Sequence, residues 1–130
     1  MLGQIEYRNR AKQLTDYSGI NYGKITPTDI DGVLDFRGQC FIFIELKLNE
    51  TPVPYGQYKC FEAITNNMLK PCLFIIAEHN AENPHNDIKA HEAKVRRCFC
   101  NRGYDWYRYI NKPIKQLIDN FKEVYFNAKG

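Results

Sequence analysis

The run Cys72–Ala77, C-L-F-I-I-A, is apolar at every position. Strand side chains alternate between faces, so a strand of this kind is hydrophobic on both sides and belongs inside a sheet covered above and below. No other feature constrains the chain as much. A second apolar run, Cys40–Leu48, is rich in β-branched and aromatic residues and reads as another strand. Between them, Gln57, Phe61, Ile64 and Met68 fall at i, i+4, i+7 and i+11, which predicts a helix over 55–68.

The flanking segments fill in the rest. Residues 3–17 are a polar helix candidate with a thin apolar face of Tyr7, Ala11 and Leu14. Pro27 introduces an extended segment, 28–36, and Arg37-Gly38-Gln39 reads as a hairpin turn into 40–48. Residues 78–87 form a polar loop around Asn83-Pro84. Residues 93–100 are predicted to be a strand, with 107–110 expected to pair near it. Asn111 reads as an N-cap with Pro113 close behind. Ile114, Leu117, Ile118, Phe121, Val124 and Tyr125 then form the apolar stripe of a last helix. The order α-β-β-β-α-β-(β)-α predicts one α/β domain over residues 1–130, a mixed central sheet flanked by helices.

Composition excludes several classes. Hydrophobic residues are 44% of the 130, with 9 Tyr, 8 Phe and 1 Trp, enough for a core. No apolar stretch approaches the roughly 20 residues of a membrane span. Met1–Arg10 has no apolar secretory core, so a cytoplasmic protein with no membrane partner is expected. The 5 cysteines are odd in number and lack paired spacing, so they read as small buried hydrophobes. Ser18 is the only serine, with no GxSxG around it, and no GxxxxGK[ST] appears.

The chemistry concentrates between Pro27 and Phe61. On the strand 40–48, Glu45 and Lys47 share a face with Phe41 and Phe43. A carboxylate and an ammonium thus emerge together at the end of a hydrophobic strand, where either alone would be costly to bury. Counting outward from Gly38, Asp31 lies seven residues back and Glu45 seven forward, so the hairpin makes them cross-strand neighbours. Two adjacent carboxylates repel unless a cation sits between them, and Mg²⁺ takes one or two carboxylates and several waters. Such an ion beside Lys47 would polarise a phosphoryl oxygen and acidify an attacking water.

Pro27-Thr28-Asp29-Ile30-Asp31, then Glu45-Leu46-Lys47 ending an apolar strand, then Gln57 on the next helix, resembles the PD-(D/E)XK nuclease superfamily. That superfamily includes type II restriction enzymes, Holliday-junction resolvases, RecB-type exonuclease domains and VRR-NUC modules. The likeness spans roughly residues 4–77. RecB-like members carry a glutamine and, four residues on, a tyrosine; here the pair is Gln57 and Phe61. The resemblance implies a restriction-endonuclease-like sheet and an Mg²⁺- or Mn²⁺-dependent deoxyribonuclease, a hydrolase of DNA phosphodiester bonds, with endonuclease and exonuclease action both open. Asp31, Glu45 and the Leu46 carbonyl would be metal ligands, Lys47 the catalytic lysine, and Gln57 a positioner of substrate or water. Asp29 is the literal motif aspartate and is a candidate for a second shell or a second metal; register prefers Asp31. An acid on the first helix often joins the metal site, and Glu6 is the candidate there. Small stand-alone members often come from phages and mobile elements and often act as dimers, so a homodimer is among the expected states. Structure- or end-directed cutting is expected over sequence-specific cutting. The alternative is the same fold kept as a non-catalytic DNA- or protein-binding module, such as a phage inhibitor of a host or rival enzyme.

The net charge of +3 is unevenly spread. Residues 1–88 carry 8 basic and 11 acidic groups, residues 89–115 carry 8 basic and 2 acidic. Lys94, Arg96, Arg97, Arg102 and Arg108, with Trp106 for base stacking, are the DNA-binding candidates. The competing reading is a solvated basic strand and loop.

Overall fold

The computed structural model describes residues 16–80, 88–103 and 106–130. Within them the chain forms β1 (Gly32–Asp35), β2 (Phe41–Leu48), α1 (Tyr55–Asn67), β3 (Cys72–His79), β4 (Lys94–Cys100) and α2 (Ile114–Tyr125). Short 3₁₀ turns lie at Ser18–Ile20, Ala90–Glu92 and Trp106–Tyr109. The four strands make one sheet in the order β1-β2-β3-β4. β2 and β3 run parallel through the α1 crossover, while β1 and β4 are antiparallel to their neighbours. The fold is mixed α/β. The predicted first helix, with Glu6, lies outside the described residues, as does Asn83-Pro84.

Each face of the sheet carries its own core. On one, Ile42, Leu73, Ile75, Ala77, Val95 and Cys98 meet Ile114, Leu117 and Phe121 of α2. On the other, Phe74 and Ile76 meet Phe61 of α1, with Phe43, Tyr58 and Phe99 around them. The Phe61 ring stacks on Phe74 with centroids 4.0 Å apart. β3 is buried from Cys72 to Ala77, as its uninterrupted apolar run requires. All five cysteines are free thiols; burial pushes Cys98 up to about 11 and Cys72 up to about 12.

Several local expectations shift. The segment 28–36 is strand only from Gly32. Residues 107–110 are not a strand but part of the 3₁₀ turn 106–109, because the Trp106 ring is drawn under α2, 5.4 Å from Phe121. The outer edge of β4 is paired instead by the next segment: Asn111 N–H donates to the Val95 carbonyl at 2.8 Å and Val95 N–H to the Lys112 carbonyl at 2.9 Å. Asn111 therefore takes a left-handed turn conformation, φ 67°, rather than capping α2, and Pro113 stands directly before the helix. Val124 is 45% exposed and falls off the buried stripe. On α1 the fully buried positions are Phe61 and Thr65, one turn of spacing apart, while Ile64 and Met68 are only half-buried.

The link from α1 to β3 is clamped chiefly by the Asn101 side chain. Asn101 accepts from Cys72 N–H at 2.8 Å and donates to the carbonyls of Met68 at 3.0 Å and Lys70 at 2.8 Å. Among the described residues no helix is long and apolar enough to cross a membrane. Asn101→Ala strands those three backbone groups and should destabilise the protein by about 1–3 kcal/mol. Urea unfolding checks this; an unchanged midpoint would mean that water replaces the clamp without loss.

Candidate active site

The β1–β2 turn sets the geometry of everything around it. Arg37 and Gly38 both take positive φ, 55° and 74°, as a type I′ turn requires of its central pair. The Asp35 carboxylate accepts from Gly38 N–H at 2.7 Å and steadies the turn. The ladder pairs Asp35 with Phe41 through to Gly32 with Ile44. One step further on, Asp31 stands opposite Glu45, the register counted from the sequence. The Asp31 carboxylate accepts from Leu46 N–H at 2.7 Å, so it closes the hairpin where the backbone ladder ends.

Glu45 is only 5% exposed, and its Oε2 is buried with no hydrogen-bond partner. Burial, and next the charge and contact of Asp31, push its carboxyl up to about 7; Lys47 pulls the other way and Asp29 adds a last upward push. The two carboxyls are close enough to share a proton. A pair like this is neutralised by a proton or by a cation. The Lys47 ammonium stands 3.9 Å from Glu45 Oε1, with both side chains largely buried. That distance is a charge contact and not a tight hydrogen bond. A strand residue points its N–H and C=O toward the same neighbour. The Leu46 carbonyl is thus turned to the β1 side, where Asp31 lies. An unpartnered buried oxygen, a second carboxylate and a backbone carbonyl are hard oxygen donors, which suit a small divalent cation. Among the described residues no group of three His, Cys, Asp or Glu side chains converges as a metal cluster, so two carboxylates are the described chain's share.

Asp29 takes a different place from Asp31. Its Oδ1 accepts from the Tyr17 hydroxyl at 2.8 Å, and it reaches Glu45 only through its charge. Asp31 is the aspartate that the register brings to Glu45. Gln57 lies in the first turn of α1, the end of the helix that follows the C-terminal end of β2, and its Oε1 is buried without a hydrogen-bond partner. Glu6 falls outside the described residues.

The basic candidates separate into three places. Lys94, Arg96 and Arg97 begin β4, which runs antiparallel to β3, so they lie at the same end of the sheet as Glu45 and Lys47. Arg96 is already engaged: its Nε stands 3.0 Å from Glu78, and it donates to the Thr51 carbonyl in the loop ahead of α1. Arg102 lies past the other end of β4 and donates to the Leu69 carbonyl at 2.8 Å, away from Glu45. Arg108 stacks over Tyr109, 5.2 Å from its centroid, in the turn that packs beneath α2 on the opposite face. Trp106 is 2% exposed inside that core, so its ring is not offered to a base. The basic and aromatic candidates within 89–115 are not gathered on one surface, because folding sends them to both faces and both ends of the sheet.

Residues that sequence reasoning passed over also shape the site. Glu78 holds Arg96, Tyr17 holds Asp29, and the Tyr58 ring carries the Arg97 guanidinium at 4.3 Å. Only Glu78 had a usable signal, a lone acid directly after the apolar run Cys72–Ala77. No family model matches the chain, and no curated protein or solved structure matches it either.

The raised Glu45 carboxyl predicts a pH-dependent stability. Its folded value, about 7, lies above the ordinary 4.5, so the folded state holds the extra proton between those values. The metal-free protein should therefore be most favoured by this group below pH 4.5 and lose that contribution as pH rises through 7, a change on the order of 3 kcal/mol. Glu45→Gln, which keeps the shape and removes the titration, should flatten this part of the curve. Denaturant midpoints from pH 4 to 8 with identical slopes in parent and variant would contradict it.

Proposed function

We propose that the chain is a metal-dependent deoxyribonuclease that hydrolyses DNA phosphodiester bonds on a restriction-endonuclease-like variant of its mixed α/β fold. The observation that carries this reading is Asp31, bound to Leu46 N–H at 2.7 Å, set next to the buried, partly unpartnered Glu45, with Lys47 at 3.9 Å. The residues of the PD-(D/E)XK pattern are far apart in the chain, and the hairpin register collects them at one strand end. Asp31, Glu45 and the Leu46 carbonyl would hold Mg²⁺ or Mn²⁺. A divalent ion there supplies Lewis-acid polarisation and a water acidic enough to attack near neutral pH.

The chain's own groups do the rest. Lys47, kept beside Glu45, orients the attacking water and meets the charge that develops on the phosphoryl oxygens. Leu46 N–H fixes one oxygen of Asp31, which leaves the other for the cation. The buried Gln57 amide oxygen has an open acceptor for a water or a substrate hydrogen. Lys94 and Arg97 offer positive charge at the same end of the sheet to a polyanionic backbone.

Plasmid nicking with Mg²⁺ or Mn²⁺ against EDTA tests the proposal directly. Cutting should require the metal. Asp31→Asn and Glu45→Gln should each abolish both nicking and the Mn²⁺ binding seen by calorimetry. Lys47→Ala should lower the cleavage rate by about 10²–10³-fold, while DNA affinity changes little. Cutting that persists in EDTA, or no cutting with any divalent metal, would overturn the reading. Asp29→Asn should cost less than Asp31→Asn, since Asp29 is held by Tyr17.

A further inference from the structure

The start of β4 breaks the alternation of a strand. Ala77 pairs with Val95 and Ile76 with Arg97, which leaves Arg96 as the extra residue of a β-bulge. Val95 and Cys98 both point into the α2-side core. Without the bulge, residues 95 and 98 would face opposite ways, and so would 94 and 97. With it, Lys94, Arg96 and Arg97 all come to the α1 side, the face that carries Glu45 and Lys47. Bulges next to functional sites commonly re-aim a side chain in this way.

Two cross-strand rows result. Glu45 pairs with Ile76, and Ile76 with Arg97; Lys47 pairs with Glu78, and Glu78 with Lys94. Glu78 in the middle of the outer row is neutralised by Arg96 at 3.0 Å. Arg97 is exposed and pairs with no acid among the described residues. Its guanidinium lies 4.3 Å from the Tyr58 centroid and 5.4 Å from that of Phe99, and those two rings are themselves locked edge to face, 5.0 Å apart at 88°. A guanidinium held against two rings that are locked to each other has lost much of its freedom before any ligand arrives, and it still carries N–H donors for a phosphate.

We infer that Arg97, on its Tyr58–Phe99 seat, is the binding site for one backbone phosphate of a nucleic-acid strand, next to the phosphate that lies at Glu45 and Lys47. The inference rests on the nuclease reading for what happens at Glu45. Two strand spacings separate the two positions, about 10 Å at the backbone. That is roughly one to two nucleotide steps of a strand laid across the face. The smallest good substrate then carries at least two phosphates, and the enzyme prefers an internal or flanked bond to an isolated diester.

Two measurements test it. In the first, fluorescence anisotropy follows a 5′-labelled thymidine decanucleotide in Ca²⁺ over a salt series. Arg97→Ala should weaken binding about tenfold and reduce the log–log salt slope by about 0.7. Arg97→Lys should restore the slope but not the affinity, because lysine keeps the charge and loses the planar seat. Lys122→Ala, which removes an exposed charge on α2, serves as the control for net charge. In the second, kcat/KM is compared in Mn²⁺ for a thymidine dinucleotide, with one phosphate, and a trinucleotide, with two. The loss caused by Arg97→Ala should be at least about tenfold larger on the trinucleotide. Parent-like affinity and slope in Arg97→Ala, or equal losses on the two substrates, would overturn the proposal. If the parent neither nicks plasmid nor cuts either short substrate, the nuclease reading fails, and the anisotropy series still decides for or against the phosphate seat.

Discussion

The β1–β2 register is the constraint on which the rest depends. Strand side chains repeat every two residues, so a slip of one between β1 and β2 would turn Asp31 to the face opposite Glu45. Three features pin the register. The turn needs positive φ at Arg37 and Gly38, and glycine makes the second inexpensive. Asp35 locks the turn through Gly38 N–H. The chain end then clasps it from outside: Gln39 exchanges hydrogen bonds with the Asn127 backbone at 2.8 Å each way, and Arg37 donates to the Ala128 carbonyl at 3.0 Å. These contacts sit at the opposite end of the hairpin from Glu45. They act on the candidate site only by deciding which residue faces which.

Burial of Glu45 is the cost that this register imposes. A charged carboxylate in an apolar strand end is unfavourable by several kcal/mol unless something compensates it. Lys47 does so incompletely, since 3.9 Å is long for an ion pair and Asp31 stands close with the same charge. The metal-free arrangement is thus under electrostatic tension, relieved by taking up a proton at modest pH. A divalent cation would relieve the same tension at higher pH. A carboxylate buried in this way lowers stability, and the deep core of Phe61, Phe74 and Ile76 beside it supplies the margin.

The parts of the fold governed by local pattern were legible in the sequence. C-L-F-I-I-A demands cover on both faces, and α1 and α2 supply it. The hairpin arithmetic around Gly38 placed Asp31 opposite Glu45 because Gly38 is the middle residue of the three-residue loop 37–39, with Phe36 N–H bonded to the Cys40 carbonyl. What escaped depended on contacts between distant segments. Trp106 looked like a stacking residue beside arginines, yet its ring fills the space under α2. Asn111 has the chemistry of an N-cap, but the open edge of β4 claims that stretch of backbone first. The bulge at Arg96 leaves no mark in composition; it shows only when β4 is paired with β3.

That bulge alters how the charge of the chain should be understood. A net charge of +3 with a basic segment suggests a broad cationic surface. The folded chain instead divides its arginines by task. Arg102 ties down the α1–β3 link, Arg96 ties the loop before α1 to Glu78, and Arg108 lies against Tyr109. Arg97 and Lys94, with Lys47 in line, are left as the cations that share a face and an end with the carboxylate pair. Acids at one end of a row and a cation at the other would disfavour any simple anion on electrostatic grounds. On the proposed nuclease reading a divalent ion would cancel the charge of the two carboxylates and leave the cations uncompensated. Metal and polyanion would then bind to this face with mutual reinforcement, each removing the repulsion that the other would meet alone.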